Sequence, residues 1–128
     1  MLSKQEALRL LNAYVSSAKK RRHMIAVSAI MKELANKLGL NEKEWEIVGL
    51  LHDLDYDIIK GDMSKHGLVA SKILQDKLSE ECLHAIKSHD YRAGVKPESV
   101  IDKALIASDC IWGLMVRTAL ATSHRRIH

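Results

Sequence analysis

One proline in 128 residues, with only six glycines beside it, leaves few places where a helix is forced to stop. Almost every long segment spaces its apolar residues three and four apart, without sustained alternation. The expected fold is therefore all-α, a single helical domain over residues 1–128 with about six helices around one core.

Local signals set the order of the helices. Ser3 and Glu6 form a capping-box pattern, opening a helix that carries Leu8, Leu11 and Val15 and is predicted to run to about Ser17. A second helix presents His23, Val27, Ile30, Met31, Leu34 and Leu38 and stops at Gly39, a residue suited to a left-handed cap. Asn41 caps a third helix with Trp45, Val48 and His52, followed by a turn-like stretch from Asp53 to Asp62. A fourth is predicted to start near Ser64, with His66, Val69 and Ile73 facing inward. Ser79 caps a fifth with Cys82, Ile86 and His89, and Pro97 is placed in the first turn of a long last helix with the line Ile101, Leu105, Asp109, Trp112 and Val116.

Composition removes several function classes. The longest apolar run, Cys110 to Val116, falls short of the roughly 18 residues of a membrane span, and the N-terminus lacks a signal-peptide pattern, so the expected location is cytoplasmic. Cys82 and Cys110 make no metal-knuckle spacing and read as two buried thiols. The net charge of +4 suits anionic ligands in general. Phe is absent and the few Trp and Tyr are scattered, which argues against a nucleic-acid partner, and nothing specifies an oligomeric state.

The chemistry is in the polar residues found on apolar stripes. His23, His52, His66, His89 and Asp109 all lie on the inward faces of their helices, with Asp53 adjacent to His52. Each alone would cost roughly 2 to 7 kcal/mol to bury without a partner. A single histidine on such a face is more often satisfied by a backbone carbonyl, but six such groups are explained more simply by a shared partner. Imidazole nitrogen and carboxylate oxygen are ligands of divalent transition metals, so one or two such ions are expected, with iron or manganese favoured and nickel, cobalt or zinc admissible. His84, His124 and His128 fall off this pattern and are set aside.

The order His23, His52-Asp53 in "GLLHDLD", His66 in "KHG", His89 in "IKSHD" and Asp109 in "IASD" resembles the HD-domain superfamily, over about His23 to Leu114. The resemblance implies an all-α metal-dependent phosphohydrolase fold, similar to small HD hydrolases and HD-type dinucleoside tetraphosphate hydrolases, with its metal-ligand core at about residues 20–116. It further implies that His23, His52 and Asp109 hold one ion, that His66 and His89 hold a second, and that Asp53 bridges them. The expected substrate is a nucleotide or another small phosphorylated metabolite, cleaved by metal-activated water.

Arg22, Lys65 and Arg92 lie one to three residues from implied ligands and are the candidate phosphate binders. The run from Lys19 to Arg22 reads equally as a solvated junction at the C-terminal end of the first helix. Where many relatives have lysine after the HD pair this chain has Tyr56, leaving a general acid to come from Asp55, Asp57 or Lys60; Asp57 and Lys60 stand beside Asp53 as catalytic candidates. The change to polar sequence after Leu120 suggests a C-terminus shorter than in relatives. Two other readings share the ligand order: a mixed-valence diiron oxygenase like myo-inositol oxygenase, and a non-catalytic metal or nucleotide sensor.

Overall fold

The computed structural model describes residues 2–127, with side chains for residues 2–122, and contains only helices and turns among them. Six α-helices appear in the described residues: α1 (Lys4–Tyr14), α2 (Ala18–Leu38), α3 (Glu42–Leu51), α4 (Leu68–Ile73), α5 (Glu80–Ser88) and α6 (Val100–Ile127). The all-α expectation holds. His124 and His128 lie outside the residues with described side chains.

Most boundaries follow from caps legible in the sequence. Ser3 Oγ accepts from the Glu6 N–H and Glu6 Oε1 accepts from the Ser3 N–H, both at 3.2 Å, a reciprocal capping box. Asn41 and Ser79 accept from Glu44 N and Cys82 N at the starts of α3 and α5. Gly39 ends α2 at φ 70°, in the left-handed region that favours glycine.

Three boundaries differ from the sequence expectation. α1 ends at Tyr14 and α2 begins at Ala18, so Lys19 to Arg22 occupy the first turn of α2 and not the end of α1. The predicted fourth helix is split into a 3-10 turn at Met63–Lys65 and the short α4, with His66 extended between them. Gly67 makes the break: its φ is 86°, and a Cβ there would collide with Ile86 O of α5. Finally, α6 starts at Val100 and not around Pro97. Ser99 Oγ accepts from the Asp102 N–H, and Asp102 Oδ2 accepts from the N–H groups of Glu98 and Ser99.

The core runs through Leu11, Met24, Met31, Ile47, Leu50, Leu51, Leu83, Ile86 and Leu105, all fully enclosed. α2 and α3 cross closely at Gly49, where an added Cβ would stand 2.7 Å from Ser28 Cα. Backbone cannot retract as a side chain can. Gly49→Ala is expected to lower stability by about 1–3 kcal/mol through overpacking, read as a drop in the denaturant midpoint.

α6 departs from a second expectation. Its segment Val100–Thr122, with mean hydropathy 1.4, is long and apolar enough to cross a membrane, and 17% of its most apolar stretch is buried. Ile101 and Leu105 are nevertheless part of the core. Cys82 is buried as expected and donates to Glu44 Oε1, whereas Cys110 is exposed, because the register that turns Asp109 inward turns its neighbour out.

Candidate metal centre

Four helices and one turn bring the six implied ligands together. His23 comes from the second turn of α2. His52 and His89 cap the C-termini of α3 and α5. Asp53 follows His52, His66 sits in the break before α4, and Asp109 comes from α6.

The two oxygens of Asp53 divide the set. Oδ2 faces His23 Nε2 at 3.3 Å and His52 Nε2 at 3.2 Å, and both nitrogens also lie 3.1 Å from Asp109 Oδ1. Oδ1 faces His66 Nε2 at 2.8 Å and His89 Nε2 at 3.1 Å. One oxygen of Asp53 thus faces each pair of histidines.

The opposite edges of three rings are fixed. His52 Nδ1 lies 2.6 Å from Gly49 O, and His89 Nδ1 lies 2.6 Å from Ile86 O, each a carbonyl three residues back in its own helix. Carbonyls only accept, so both Nδ1 atoms carry the proton in these bonds. Carbonyl satisfaction, the ordinary fate of a buried histidine, therefore coexists here with an Nε2 that points into the cluster, where it can carry a proton or bind an ion. His66 Nδ1 donates to Asp55 Oδ1 at 2.7 Å, and His66 Nε2 and His89 Nε2 stand 3.2 Å apart. Two lone pairs facing each other at that distance require a cation, either a proton or a metal ion. His23, His52 and Asp109 form one group with ligand atoms close enough to share an ion, and His52, Asp53 and His89 form another. Neutral imidazoles and carboxylates, with Nδ1 held by carbonyl or carboxylate, are a donor set that fits a divalent transition ion.

The mutual pairing moves the titrations. Burial pulls the His66 imidazolium down, but hydrogen bonds to Asp53 and Asp55 outweigh it and push its pKa up to about 9. His52 is raised well above its usual value, since Asp53 and Asp109 overcome its burial, and His23 is raised by the same two carboxylates. Burial opposes the charge of Asp53 and Asp109, yet the adjacent histidines hold both below the usual carboxylate range. Histidines with raised folded-state pKa contribute stability that is complete below the unfolded value, about 6.5, and disappears as pH rises through the folded value. The metal-free chain, held in chelator, is therefore expected to lose melting temperature between about pH 6.5 and 9. A melting temperature that stays level or climbs over that interval would show the rings to be neutral.

A pocket of about 380 Å³ opens onto the cluster, lined among others by Lys20, His23, Asp53, Tyr56, His89 and Arg92. The candidate phosphate binders divide. Arg92 lines this pocket, but its guanidinium is bound to both oxygens of Asp90 at 2.9 and 2.7 Å. Arg22 lies in an adjoining cleft of about 460 Å³, walled by Tyr56, Trp112 and Val116. Lys65 lines a separate cavity between α4 and α5 and pairs with Asp62.

The candidate general acids also fall outside the pocket lining. Asp57 Oδ2 accepts from Ser16 N and Ser16 Oγ at 2.9 Å, fastening the α1–α2 connection. Lys60 is exposed on a turn at φ 49°. Asp55 is fully buried, and its second oxygen accepts from Gly67 N and Ala70 N at 2.7 and 2.9 Å. It is a holder of His66 and of the α4 N-terminus. Its value was legible in the motif only as an acid two residues after Asp53.

Sequence reasoning also missed Lys20, whose Nζ lies 2.9 Å from Asp53 Oδ2. The first turn of α2 contains no acidic residue, and a cation there is opposed by the helix dipole by about 0.3–1 kcal/mol. The four basic residues thus gain nothing from their place on the helix. Arg21 is accounted for by its bonds to Val15 O and Ser16 O at 2.7 and 2.8 Å, which close the end of α1.

Comparison with known proteins gives the family. The HD-domain family profile matches residues 21–110. Ribonuclease Y of Lawsonia intracellularis (strain PHE/MN1-00) is 31% identical over 93 residues, covering 72% of this chain and 18% of that protein. The chain thus spans about a fifth of the length of this curated relative, and no solved structure matches it. With the profile matched over residues 21–110 of this helical chain, the chain belongs to the HD-domain family.

Proposed function

We propose that the protein is a metal-dependent phosphohydrolase that cleaves a phosphoester or phosphoanhydride of a nucleotide or small phosphorylated metabolite. The observation that carries this reading is the division of Asp53, with Oδ2 toward His23 and His52 and Oδ1 toward His66 and His89. In it, His23, His52 and Asp109 would hold one ion, His66 and His89 the other, and Asp53 would contribute to both. Such a pair, when bound, activates water and neutralises charge on a phosphoryl group, with iron or manganese the first candidates.

The protein's own residues supply orientation. Gly49 O and Ile86 O fix the rings of His52 and His89, and Asp55 fixes His66, so three ligand edges are set before any ion arrives. The pocket at the cluster is sized for a phosphoryl group with part of its ester, and the cleft beside it offers Trp112 and Tyr56 to the organic portion.

A second substrate reading is favoured by the similarity to Ribonuclease Y: the ester would be an internucleotide phosphodiester of RNA. This runs against the sequence expectation that nucleic acid is not a partner, and the same experiment decides between them. Metal-depleted protein is reloaded with Mn²⁺ or Fe²⁺ and assayed without oxygen on nucleotides, dinucleoside polyphosphates, sugar phosphates and short RNA, with metal per chain measured in parallel. Anaerobic hydrolysis of a phosphate ester supports the proposal and reports which class is cut. Two bound ions with no ester turnover would sink it, dioxygen-dependent activity indicating an oxygenase and complete inactivity a sensor.

A further inference from the structure

An ammonium stands over the ring of Tyr56 at the mouth of the cluster pocket. Lys20, three residues before His23 on the same face of α2, places Nζ 4.3 Å from the centre of the Tyr56 ring and 2.9 Å from Asp53 Oδ2. Its side chain is 23% exposed, and it lines both the pocket at the cluster and the cleft beside it.

Two features argue that the contact with Asp53 is a resting position. Oδ2 already faces the Nε2 atoms of His23 and His52, so the ammonium is a third positive or donor group on one oxygen. A divalent ion on that oxygen would repel Nζ as a like charge. The Tyr56 face offers the released ammonium a cation–π hold at the mouth of the pocket. Of the candidate phosphate binders, Arg92 is held by Asp90 through two side-chain hydrogen bonds, Arg22 lies in the side cleft, and Lys65 is in another cavity, whereas Lys20 is held through one ion pair.

We propose that Lys20 is the phosphoryl anchor of the site, exchanging Asp53 Oδ2 for a non-bridging oxygen of the substrate, a charge that α2 delivers. The inference rests on the phosphohydrolase reading for its substrate, but its test does not require turnover.

The test is calorimetric titration of inorganic phosphate into Mn²⁺-loaded protein, comparing the parent chain with Lys20→Met and Lys20→Arg, with metal content and melting temperature measured on each. Lys20→Met is expected to weaken phosphate binding by about 10- to 150-fold while keeping its metal, and Lys20→Arg to recover most of the affinity. On any ester the parent cleaves, KM should rise more than kcat falls. If the methionine chain does not fold, Lys20→Gln carries the comparison. Unchanged phosphate affinity without Lys20, or a loaded parent that binds no phosphate, overturns the proposal. So does loss of metal together with melting temperature, which would mark Lys20 as a prop for Asp53. A parent that binds phosphate through Lys20 and cleaves no ester retires the hydrolase reading and leaves the anchor standing.

Discussion

Asp53→Asn is expected to abolish binding of both ions and, with it, any hydrolysis, while the fold survives. The carboxylate is 3% exposed and its two oxygens meet four imidazoles and one ammonium, one oxygen toward each pair of histidines. An amide nitrogen has no lone pair to offer, so one half loses its ligand outright and the other loses the compensating negative charge. Folding is affected less, because the histidines can shed the protons that Asp53 no longer stabilises. Metal analysis and thermal melting of the variant beside the parent chain decide the point. An Asp53→Asn chain that retains both ions and its turnover would refute the bridging role.

The largest effect on stability is expected at Asp55, which need not touch an ion at all. Its side chain is fully buried and accepts from His66 Nδ1, Gly67 N and Ala70 N. Asp55→Ala removes all three acceptor contacts and leaves two backbone N–H groups and a ring N–H without partners in the interior. Breaking a buried charged network from one side costs about 3–5 kcal/mol. Chemical denaturation should show that loss, and metal content should fall from the His66 side even where the variant still folds. Asp55→Asn should recover only part of it, since its amide retains one acceptor oxygen for three donors. A stability change below about 1 kcal/mol for the alanine would mean that water or backbone movement replaces the carboxylate.

The elements that could be read from sequence are those set by short-range chemistry. Ser3 with Glu6, Asn41, Ser79 and Gly39 each act within four residues, and their caps appear where the sequence placed them. The clustering of six residues was legible for a different reason. A histidine or aspartate on an apolar stripe is a local anomaly, and six of them in family order share one explanation. What escaped depended on approach between distant segments. Lys20 reaches Asp53 across 33 positions of chain, and no periodicity in α2 encodes that distance. Apolar neighbours at helical spacing point to a helix at His66, where the structure has none. Gly67 was the available signal: its positive φ and its contact with Ile86 O break the helix and turn the His66 ring onto Asp53. The outward face of Cys110 follows from a register that Asp109 sets, again a property of the assembled cluster.

The length of α6 has a mechanical consequence. At 1.5 Å of rise per residue, Asp109 lies about 6 Å beyond Leu105, the last fully buried apolar side chain among the described residues of the helix, whereas Ile127 lies about 33 Å beyond it. Leu114, Met115 and Leu120 on the outer stretch are exposed. Treated as a stiff rod pivoting at Leu105, the helix divides any sideways movement at its far end by between five and six at the carboxylate. A tilt of about 5° carries the tip about 3 Å and Asp109 about 0.5 Å, which is the tolerance within which a catalytic ligand set keeps its geometry. A load on the outer end of this rod, or a clamp that stops it swinging, is thereby transmitted in reduced amplitude to Asp109, the residue that α6 contributes to the cluster.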